Sequence, residues 1–170
     1  MKLEIISNIN MDSLKFYMKG YSFLSSSSFG NYMIDLVDSN SLLYKSESNI
    51  IILFLDLDVL NESIEDLISA VDKFVSETNK TIIINTMSYT PYYLDTFLNQ
   101  SLEDELNINI KLLNYSKKNP NILLLDFSKL IKQNNFFDEK YWYLARIKFS
   151  RIGFELIAKE IRGIINTYKY

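Results

Sequence analysis

The feature that most constrains the fold of this chain is an unbroken apolar run from Ile50 to Leu55. The run contains neither glycine nor proline, and most of its side chains are β-branched or aromatic. A strand that is apolar on both faces is buried on both faces, which is typical of a central strand in a parallel sheet. Two carboxylates, Asp56 and Asp58, follow at its carboxyl end. Because open α/β sheets bind ligands outside the carboxyl ends of their strands, we expect a ligand crevice there.

Further apolar segments alternate with helical patterns on both sides of this strand. Central strands are predicted near 50–56, 81–85 and 121–126, with a strand at 3–7 beside them and a short candidate at Tyr21–Leu24. Alternating strands and helices form right-handed crossovers and parallel sheets. The whole chain is therefore predicted to be one domain, a flavodoxin-like three-layer α/β/α sandwich with a mainly parallel sheet of about five strands.

The helices between these strands have recognisable starts and breaks. Ser63 and Ser150 precede amphipathic stretches and are predicted to cap them. One helix is expected from Tyr32 to about Leu43. A long helical region is expected to open at Pro91 and to break near Asn107–Asn109, since asparagine is a poor helix former.

Composition excludes several classes of function. The chain of 170 residues contains no cysteine, so disulfides, thiolate metal sites and thiol nucleophiles are excluded. It also contains no histidine, so a Ser-His-Asp triad cannot form from this chain. The net charge of -3 argues against a nucleic-acid partner. No signal peptide or stretch of about 18 apolar residues is evident, so we expect a cytoplasmic protein without a membrane partner.

Polar residues follow each predicted strand, and two explanations compete for them. They are Ser7 and Asn8, Asp56 and Asp58, Asn85, and Asp126. In a parallel sheet these positions meet along one edge, as functional residues do. Short polar residues at strand ends also cap helices and satisfy loop amides, and this second explanation alone accounts for most of them.

The Asp56-Leu57-Asp58 sequence resembles the first motif of haloacid dehalogenase (HAD) phosphatases. That resemblance implies an Asp56 nucleophile, an Asp58 acid/base and a Mg²⁺ ion that offsets the charge. The motif normally continues with Gly-Thr and lies on the first strand, whereas here Val59 and Leu60 follow and another strand comes before. Mg²⁺ is expected only under this alternative, and otherwise we expect no cofactor or metal.

A broader resemblance covers most of the chain. The residues that carry it are Ile-Ile-Ser-Asn-Ile-Asn at 5–10, Ser-Phe-Gly-Asn-Tyr at 28–32, the central strand, and the stretches 137–150 and 153–158. Together they resemble an SGNH (GDSL-like) hydrolase fold and, more narrowly, the N-terminal SGNH-like domain of FkbH-type proteins. In that family the domain precedes a HAD domain of subclass IIIC. The family loads a glyceryl unit onto a carrier-protein thiol, and related proteins occur in surface-polysaccharide biosynthesis.

The departures from the hydrolase pattern bear on catalysis. Ser7-Asn8-Ile9 stands in place of Gly-Asp-Ser, and the residues around Asp56 and Asp58 replace Gly-x-Asn-Asp. The family's Asp-x-x-His falls near residues 145–148. The resemblance therefore implies a retained scaffold without the nucleophile–base pair. An active esterase that uses Ser7, with Lys148 as base, remains the main alternative, although a lysine needs deep burial to act as a base near neutral pH.

The remaining candidate residues are assigned to ligand binding. Gly30, in the serine-rich loop at 25–30, corresponds to the oxyanion glycine, and its amides suit an anion. Arg146 and Lys148 are interpreted as clamps for phosphate or carboxylate. The predicted site has Ser7 and Asp56 as catalytic candidates. Its ligand-binding candidates are Asn8, Gly30, Asn31, Asp58, Asn85, Arg146 and Lys148.

The expected function is a catalytically degenerate SGNH-like domain that binds a ligand or positions a partner. The FkbH resemblance implies that the chain is the N-terminal part of a longer protein, with a HAD-type catalytic domain or a carrier protein as partner. An aromatic cluster at Tyr141, Trp142 and Tyr143 has two interpretations: packing beneath the last helix, which we favour, or a contact surface for a partner domain.

Overall fold

A computed structural model describes residues 1–23, 30–90 and 98–168, with the backbone alone for 98–101. Its sheet has five strands, all parallel, in the order β2-β1-β3-β4-β5. The strands are β1 (Lys2–Ser7), β2 (Ser22–Phe23), β3 (Ile50–Phe54), β4 (Thr81–Asn85) and β5 (Ile122–Leu125). The predicted α/β/α sandwich with a parallel sheet is confirmed.

Helices cover both faces of this sheet. They are α1 (Leu14–Tyr17), α2 (Tyr32–Val37), α3 (Leu42–Lys45), α4 (Ile64–Thr78), α5 (Leu98–Lys118), α6 (Phe127–Leu130), α7 (Glu139–Ala145) and α8 (Arg151–Tyr168). One apolar core lies between the sheet and α1, α6 and α8, and the other lies beneath α2, α3, α4 and α5. No helix in the described ranges is long and apolar enough to cross a bilayer.

The central strand β3 supplies both cores. Ile50, Ile52 and Phe54 pack on one face, while Ile51 and Leu53 pack on the other, and all five side chains are buried. In the register of the sheet, Ser7 lies beside Phe54 and Ile84 lies beside Leu53. The polar residues that follow β1, β3 and β4 therefore lie at one edge, as predicted.

Two of the helix expectations are wrong. The helix expected from Tyr32 to Leu43 is split into α2 and α3, because Ser41 caps the second helix and also donates to the carbonyl of Asp35 at 2.9 Å. The break expected near Asn107–Asn109 does not occur, and α5 is continuous. The Asn109 side chain instead bonds the amide and the carbonyl of Met87, both at 2.7 Å, and so ties α5 to the segment after β4.

Other local predictions are confirmed within the described residues. Ser63 accepts from the amide of Asp66 at 3.1 Å, and Ser150 accepts from the amide of Gly153 at 3.1 Å, so both serines cap helices. The proposed start at Pro91 and the serines at 25–28 lie outside the described residues.

A bridged loop precedes α8 and carries α7. Phe137 and Phe149 form an antiparallel bridge, and the loop between them projects over the carboxyl edge of the sheet. Phe149 is buried among aromatic rings, including Phe54 at 5.5 Å between centroids. Gly153 allows α8 to approach this loop, because a Cβ there would clash with the carbonyl oxygen of Phe136.

Candidate functional site

The segment that follows β3 is held by two asparagine side chains from neighbouring strands. The Asn8 amide accepts from the Asp56 backbone N–H at 2.8 Å and donates to the Asp56 carbonyl at 2.9 Å. Asn85 does the same for Leu55, at 2.7 and 2.8 Å. A carboxamide presents a donor and an acceptor side by side, so it satisfies backbone groups past the end of a sheet ladder. These bonds fix the direction in which Asp56 and Asp58 leave β3.

Three ionisable side chains meet beyond this segment and form a buried ion cluster. The Lys148 Nζ donates to Asp56 Oδ1 and to Asp58 Oδ2, both at 2.5 Å. The side chains of Lys148, Asp56 and Asp58 are 7%, 2% and 6% exposed. Buried charges persist only when they are paired and hydrogen-bonded, and the lysine fulfils this requirement for both carboxylates.

The bridged loop delivers Lys148 to the carboxylates. The backbone N–H of Asp138 donates to the Lys148 carbonyl at 2.9 Å, which fixes the lysine opposite the start of α7. The ammonium lies 5.8 Å from the ring centre of Phe137 and 5.7 Å from that of Trp142. These rings exclude water from the ammonium while they attract its charge.

The ion cluster contains two carboxylates and one ammonium, so it carries a net negative charge when all three groups are ionised. Burial raises the pKa of the Asp56 carboxyl above its ordinary value, although the Lys148 ammonium opposes this shift. Asp56 Oδ2 is buried and has no hydrogen-bond partner among the described residues. Both observations follow from the removal of a carboxylate from water at a site where one cation serves two acids.

A cleft of about 310 Å³ opens above the ion cluster. It is lined by Asp58, Thr90, Phe137, Asp138, Glu139, Trp142, Tyr143 and Lys148. Asp58 also accepts from the Thr90 amide at 3.2 Å and from the Thr90 hydroxyl, so its orientation is fixed. The cleft thus presents an aromatic wall and three carboxylates against a single ammonium that is already paired.

The residues expected to form a hydrolase centre are bonded to the protein itself. Ser7 is buried, and its hydroxyl donates to the carbonyl of Ile9. The amide of Gly30 donates to the Ser7 carbonyl at 2.8 Å, so this amide does not serve an oxyanion. Lys148 donates to the two aspartates, and no bond in the described part of the chain joins it to Ser7.

The remaining predicted site residues are distributed differently from expectation. Arg146 is exposed in a left-handed conformation at the end of α7, with its guanidinium 5.1 Å from the Trp142 ring, and it does not line the cleft. Within the described residues, neither predicted clamp offers the cleft a free cation, because Lys148 is ion-paired with Asp56 and Asp58 and Arg146 stacks outside the cleft. Asn31 starts α2, where its carbonyl accepts from the amide of Asp35 at 3.0 Å. Of the predicted residues, Asp58 and Lys148 line the cleft.

Several lining residues were not anticipated from sequence. Phe137, Asp138 and Glu139 reach the cleft because the bridge at Phe149 folds their loop over the sheet edge, and Thr90 reaches it from the segment after β4. The available sequence signal was two adjacent carboxylates, Asp138 and Glu139, close to the aromatic cluster. Core and rim packing was favoured for the aromatic cluster. Trp142 packs against the core, whereas Tyr141 and Tyr143 are 52% and 83% exposed.

The fold is similar to that of solved proteins of the GDSL-like (SGNH) hydrolase type. These structures superpose over nearly the whole length of the chain. A GDSL-like lipase from Bacteroides thetaiotaomicron has a TM-score of 0.65 at 9% identity, covering 98% of this chain and 88% of its own. The catalytic domain of a peptidoglycan O-acetyltransferase from Streptococcus pneumoniae has a TM-score of 0.64 at 15% identity, with coverage of 99% and 93%.

A higher structural similarity is found to a protein that contains a phosphatase domain. The N-terminal part of protein BF1531 from Bacteroides fragilis, which contains a phosphatase domain, has a TM-score of 0.82 at 15% identity. The alignment covers 99% of this chain and 52% of that structure, so this chain spans about half its length. No protein-family profile and no curated protein sequence matches the chain.

The ion cluster does not suit the magnesium ion of the HAD alternative. The Lys148 ammonium bridges Asp56 and Asp58 at 2.5 Å from each, where a metal shared by both carboxylates would bind. Among the described residues no group of three or more histidine, cysteine, aspartate or glutamate side chains is placed to hold a metal. A magnesium site here would require the displacement of a buried lysine from two charged partners.

Proposed function

We propose that this protein is a catalytically degenerate SGNH-like domain that binds a small ligand in the cleft above the ion cluster. The observation that carries the proposal is the bonding of Lys148. The candidate base is held between Asp56 and Asp58, and among the described residues the Ser7 hydroxyl is bonded to the Ile9 carbonyl and to no base. A serine hydroxyl is a weak nucleophile unless an adjacent base removes its proton.

The bonding of the nucleophile and of the oxyanion donor supports the same proposal. Ser7 donates to a backbone carbonyl two residues ahead, and the Gly30 amide is bonded to the Ser7 carbonyl. An active acyl-transfer site keeps its nucleophile and its oxyanion donors available to the substrate. Here both groups stabilise the chain around the end of β1.

The lining of the cleft favours a neutral or cationic ligand. Asp58, Asp138 and Glu139 repel anions, and the positive charge of Lys148 is already compensated by Asp56 and Asp58. Trp142 and Tyr143 offer flat apolar faces, which bind sugar rings and cations. We therefore infer a ligand rich in hydroxyl or amino groups, such as a glycan unit, in preference to a phosphorylated one.

The first experiment tests for residual catalysis. The protein is incubated with p-nitrophenyl acetate and, in the presence of Mg²⁺, with p-nitrophenyl phosphate. We expect no turnover above that of the matched variants Ser7→Ala and Asp56→Asn. Ester hydrolysis that Ser7→Ala abolishes would establish the esterase alternative, and Mg²⁺-dependent phosphate release that Asp56→Asn abolishes would establish the phosphatase alternative.

The second experiment tests the cleft and its preference for charge. Trp142 is the only tryptophan of the chain and lines the cleft, so its fluorescence reports binding directly. Glucose, glucosamine and glucose 6-phosphate form a probe series that differs mainly in charge. We expect glucosamine to bind at least as tightly as glucose, and glucose 6-phosphate to bind most weakly.

Two variants on α7 show whether the signal arises in the cleft. Tyr143→Ala removes part of the aromatic wall and is expected to weaken binding about fivefold, the equivalent of about 1 kcal/mol of ring contact. Tyr141→Ala is the matched control, because Tyr141 is also exposed on α7 but does not line the cleft. Tightest binding of glucose 6-phosphate, lost in Arg146→Ala, would reinstate the anion site.

A second candidate role rests on the similarity to the Bacteroides fragilis protein that contains a phosphatase domain. We infer that the domain acts in the cytoplasm beside a HAD-type domain or a carrier protein, in FkbH-like glyceryl loading or in surface-glycan biosynthesis. The support is the TM-score of 0.82 over nearly the whole chain. Titration of the purified domain with an acyl carrier protein and with a HAD-type domain, followed by calorimetry, tests this role. Absence of heat with both would reject it.

A further inference from the structure

Among the described residues, no strand pairs with the outer edge of β5, and this edge is apolar. β5 ends the strand order, and its sequence Ile-Leu-Leu-Leu contains no lysine or proline to discourage pairing. Leu123 and Leu124 are only partly buried. Apolar edges in monomeric proteins are normally blunted by charges, proline or shortness. The opposite edge strand, β2, has two residues, whereas β5 has four.

Helix α5 places an exposed apolar stripe beside this edge. Leu102, Leu106, Ile110 and Leu113 follow a spacing of four, four and three residues, which sets them on one face of the helix. They are 44%, 61%, 54% and 45% exposed. Leu106, Ile110 and Leu113 line one groove with Leu124 of β5, so the stripe and the strand edge form a continuous surface.

The charges on α5 suit an antiparallel pairing with the same helix of a second copy. Glu103 lies near the first end of the stripe and Lys117 extends its second end, and both are exposed. Neither makes an ion pair with another residue in the described ranges. In an antiparallel pair of α5 helices centred at Ile110, each Glu103 faces Lys117 of the other copy, and Leu106 lies within one residue of the level of Leu113.

The strand and the helix favour the same two-fold axis. Identical parallel-sheet edges can pair only in the antiparallel sense across a two-fold axis, which makes the contact isologous. For β5 that axis passes between Leu123 and Leu124. The residues of α5 that line the groove with Leu124 have their midpoint next to Ile110, where the helix pairing has its own centre.

We propose that two copies of this chain associate through β5 and α5, with their sheets continuous across the two-fold axis. The backbone groups of β5 find partners, and the leucine and isoleucine stripe is covered. The proposal is independent of what the cleft binds, since the cleft residues lie in the segments after β3, β4 and β5, and none of them belongs to β5 or α5.

The test is the oligomeric state of the full chain, measured by sedimentation equilibrium between about 1 and 100 μM, with circular dichroism to confirm folding. We expect a dimer. Ile110→Glu places two like charges together at the axis and is expected to weaken association at least about 100-fold. Leu144→Glu is the matched control, because Leu144 is 71% exposed on α7, away from this surface, and it is expected to leave the dimer intact.

A charge exchange separates this pairing from non-specific association. Glu103→Lys and Lys117→Glu are each expected to weaken the dimer about threefold to tenfold, and the double variant is expected to restore it. A monomer across the whole concentration range would overturn the proposal, as would equal effects of Ile110→Glu and Leu144→Glu. Association only with a different protein, or failure of the double variant to recover, would also overturn it.

Discussion

Two sites in this protein contain buried carboxylates, and they differ in how the charge is compensated. One is the ion cluster at the carboxyl end of β3, and the other is an acidic pair, Glu4 of β1 and Asp35 of α2. In the ion cluster, Lys148 binds both aspartates at 2.5 Å. In the acidic pair, Glu4 Oε2 and Asp35 Oδ2 are buried without a hydrogen-bond partner among the described residues. The nearby Lys80 donates instead to backbone carbonyls at the end of α3.

The consequence appears in ionisation. Burial raises the pKa of Glu4 to about 7, Lys15 and Lys80 oppose this shift, and Asp35 adds to it. Protonation of Glu4 removes the charge of a buried carboxylate whose Oε2 atom has no hydrogen-bond partner among the described residues. The comparison indicates that an ion pair compensates the buried charge at the carboxyl edge of the sheet, whereas burial favours the protonated form of Glu4 in the core.

The largest effect is expected from the loss of the shared cation. Lys148→Met leaves two buried carboxylates unpaired and should lower the free energy of unfolding by about 3–5 kcal/mol, as measured by urea denaturation. Arg146→Ala is the control, since Arg146 is an exposed cation on the same loop, and it should change stability by less than about 0.5 kcal/mol.

A second variant keeps this prediction interpretable. Addition of Asp58→Asn to Lys148→Met removes one of the stranded charges and should recover part of the loss. If Lys148→Met costs no more than Arg146→Ala, the proposed pairing with Asp56 and Asp58 is wrong.

A smaller loss is expected when the support of the ion cluster is removed. Asn85→Ala leaves the buried amide and carbonyl of Leu55 without partners and should cost about 2–3 kcal/mol in urea denaturation. Asn121→Ala removes an exposed side-chain bond to Asn79 and should cost less than about 0.5 kcal/mol. Equal losses for the two variants would contradict the assigned role of Asn85.

The smallest change in stability is expected at the acidic pair, where the substitution stabilises the protein. Glu4 ionises near 4.5 when unfolded and near 7 when folded, so its contribution to stability is complete below about pH 4.5 and is lost as the pH rises through 7. Glu4→Gln cannot ionise and should therefore be more stable than the natural chain by about 1–2 kcal/mol at pH 8.

The pH dependence itself provides the check on this prediction. The advantage of Glu4→Gln should disappear near pH 4 in parallel thermal or urea denaturation. Glu47→Gln is the control, because Glu47 is exposed and paired with Lys2. A Glu4→Gln advantage that is equal at pH 4 and pH 8 would contradict ionisation as its cause.

The strand pattern of this protein could be predicted from sequence because it is local. The apolar run at Ile50–Leu55 has one stable environment, a central strand covered on both faces, and it fixed the sheet around which the remaining elements pack. The convergence of Ser7, Asp56 and Asn85 at one edge followed from parallel topology alone. Capping by Ser63 and Ser150 was equally local.

The chemistry of the candidate site was decided by tertiary structure, because it depends on contacts between residues far apart in the chain. Lys148 was expected to be a free clamp or a base, and only the bridge between Phe137 and Phe149 brings it onto Asp56 and Asp58. Asn109 was expected to break α5, but a distant backbone partner at Met87 stabilises it within the helix. Sequence alone thus determined which residues form the strands and which edge is polar. The fold decided which polar groups bond to one another and which remain available to a ligand, because hydrogen bonds and ion pairs require proximity in space.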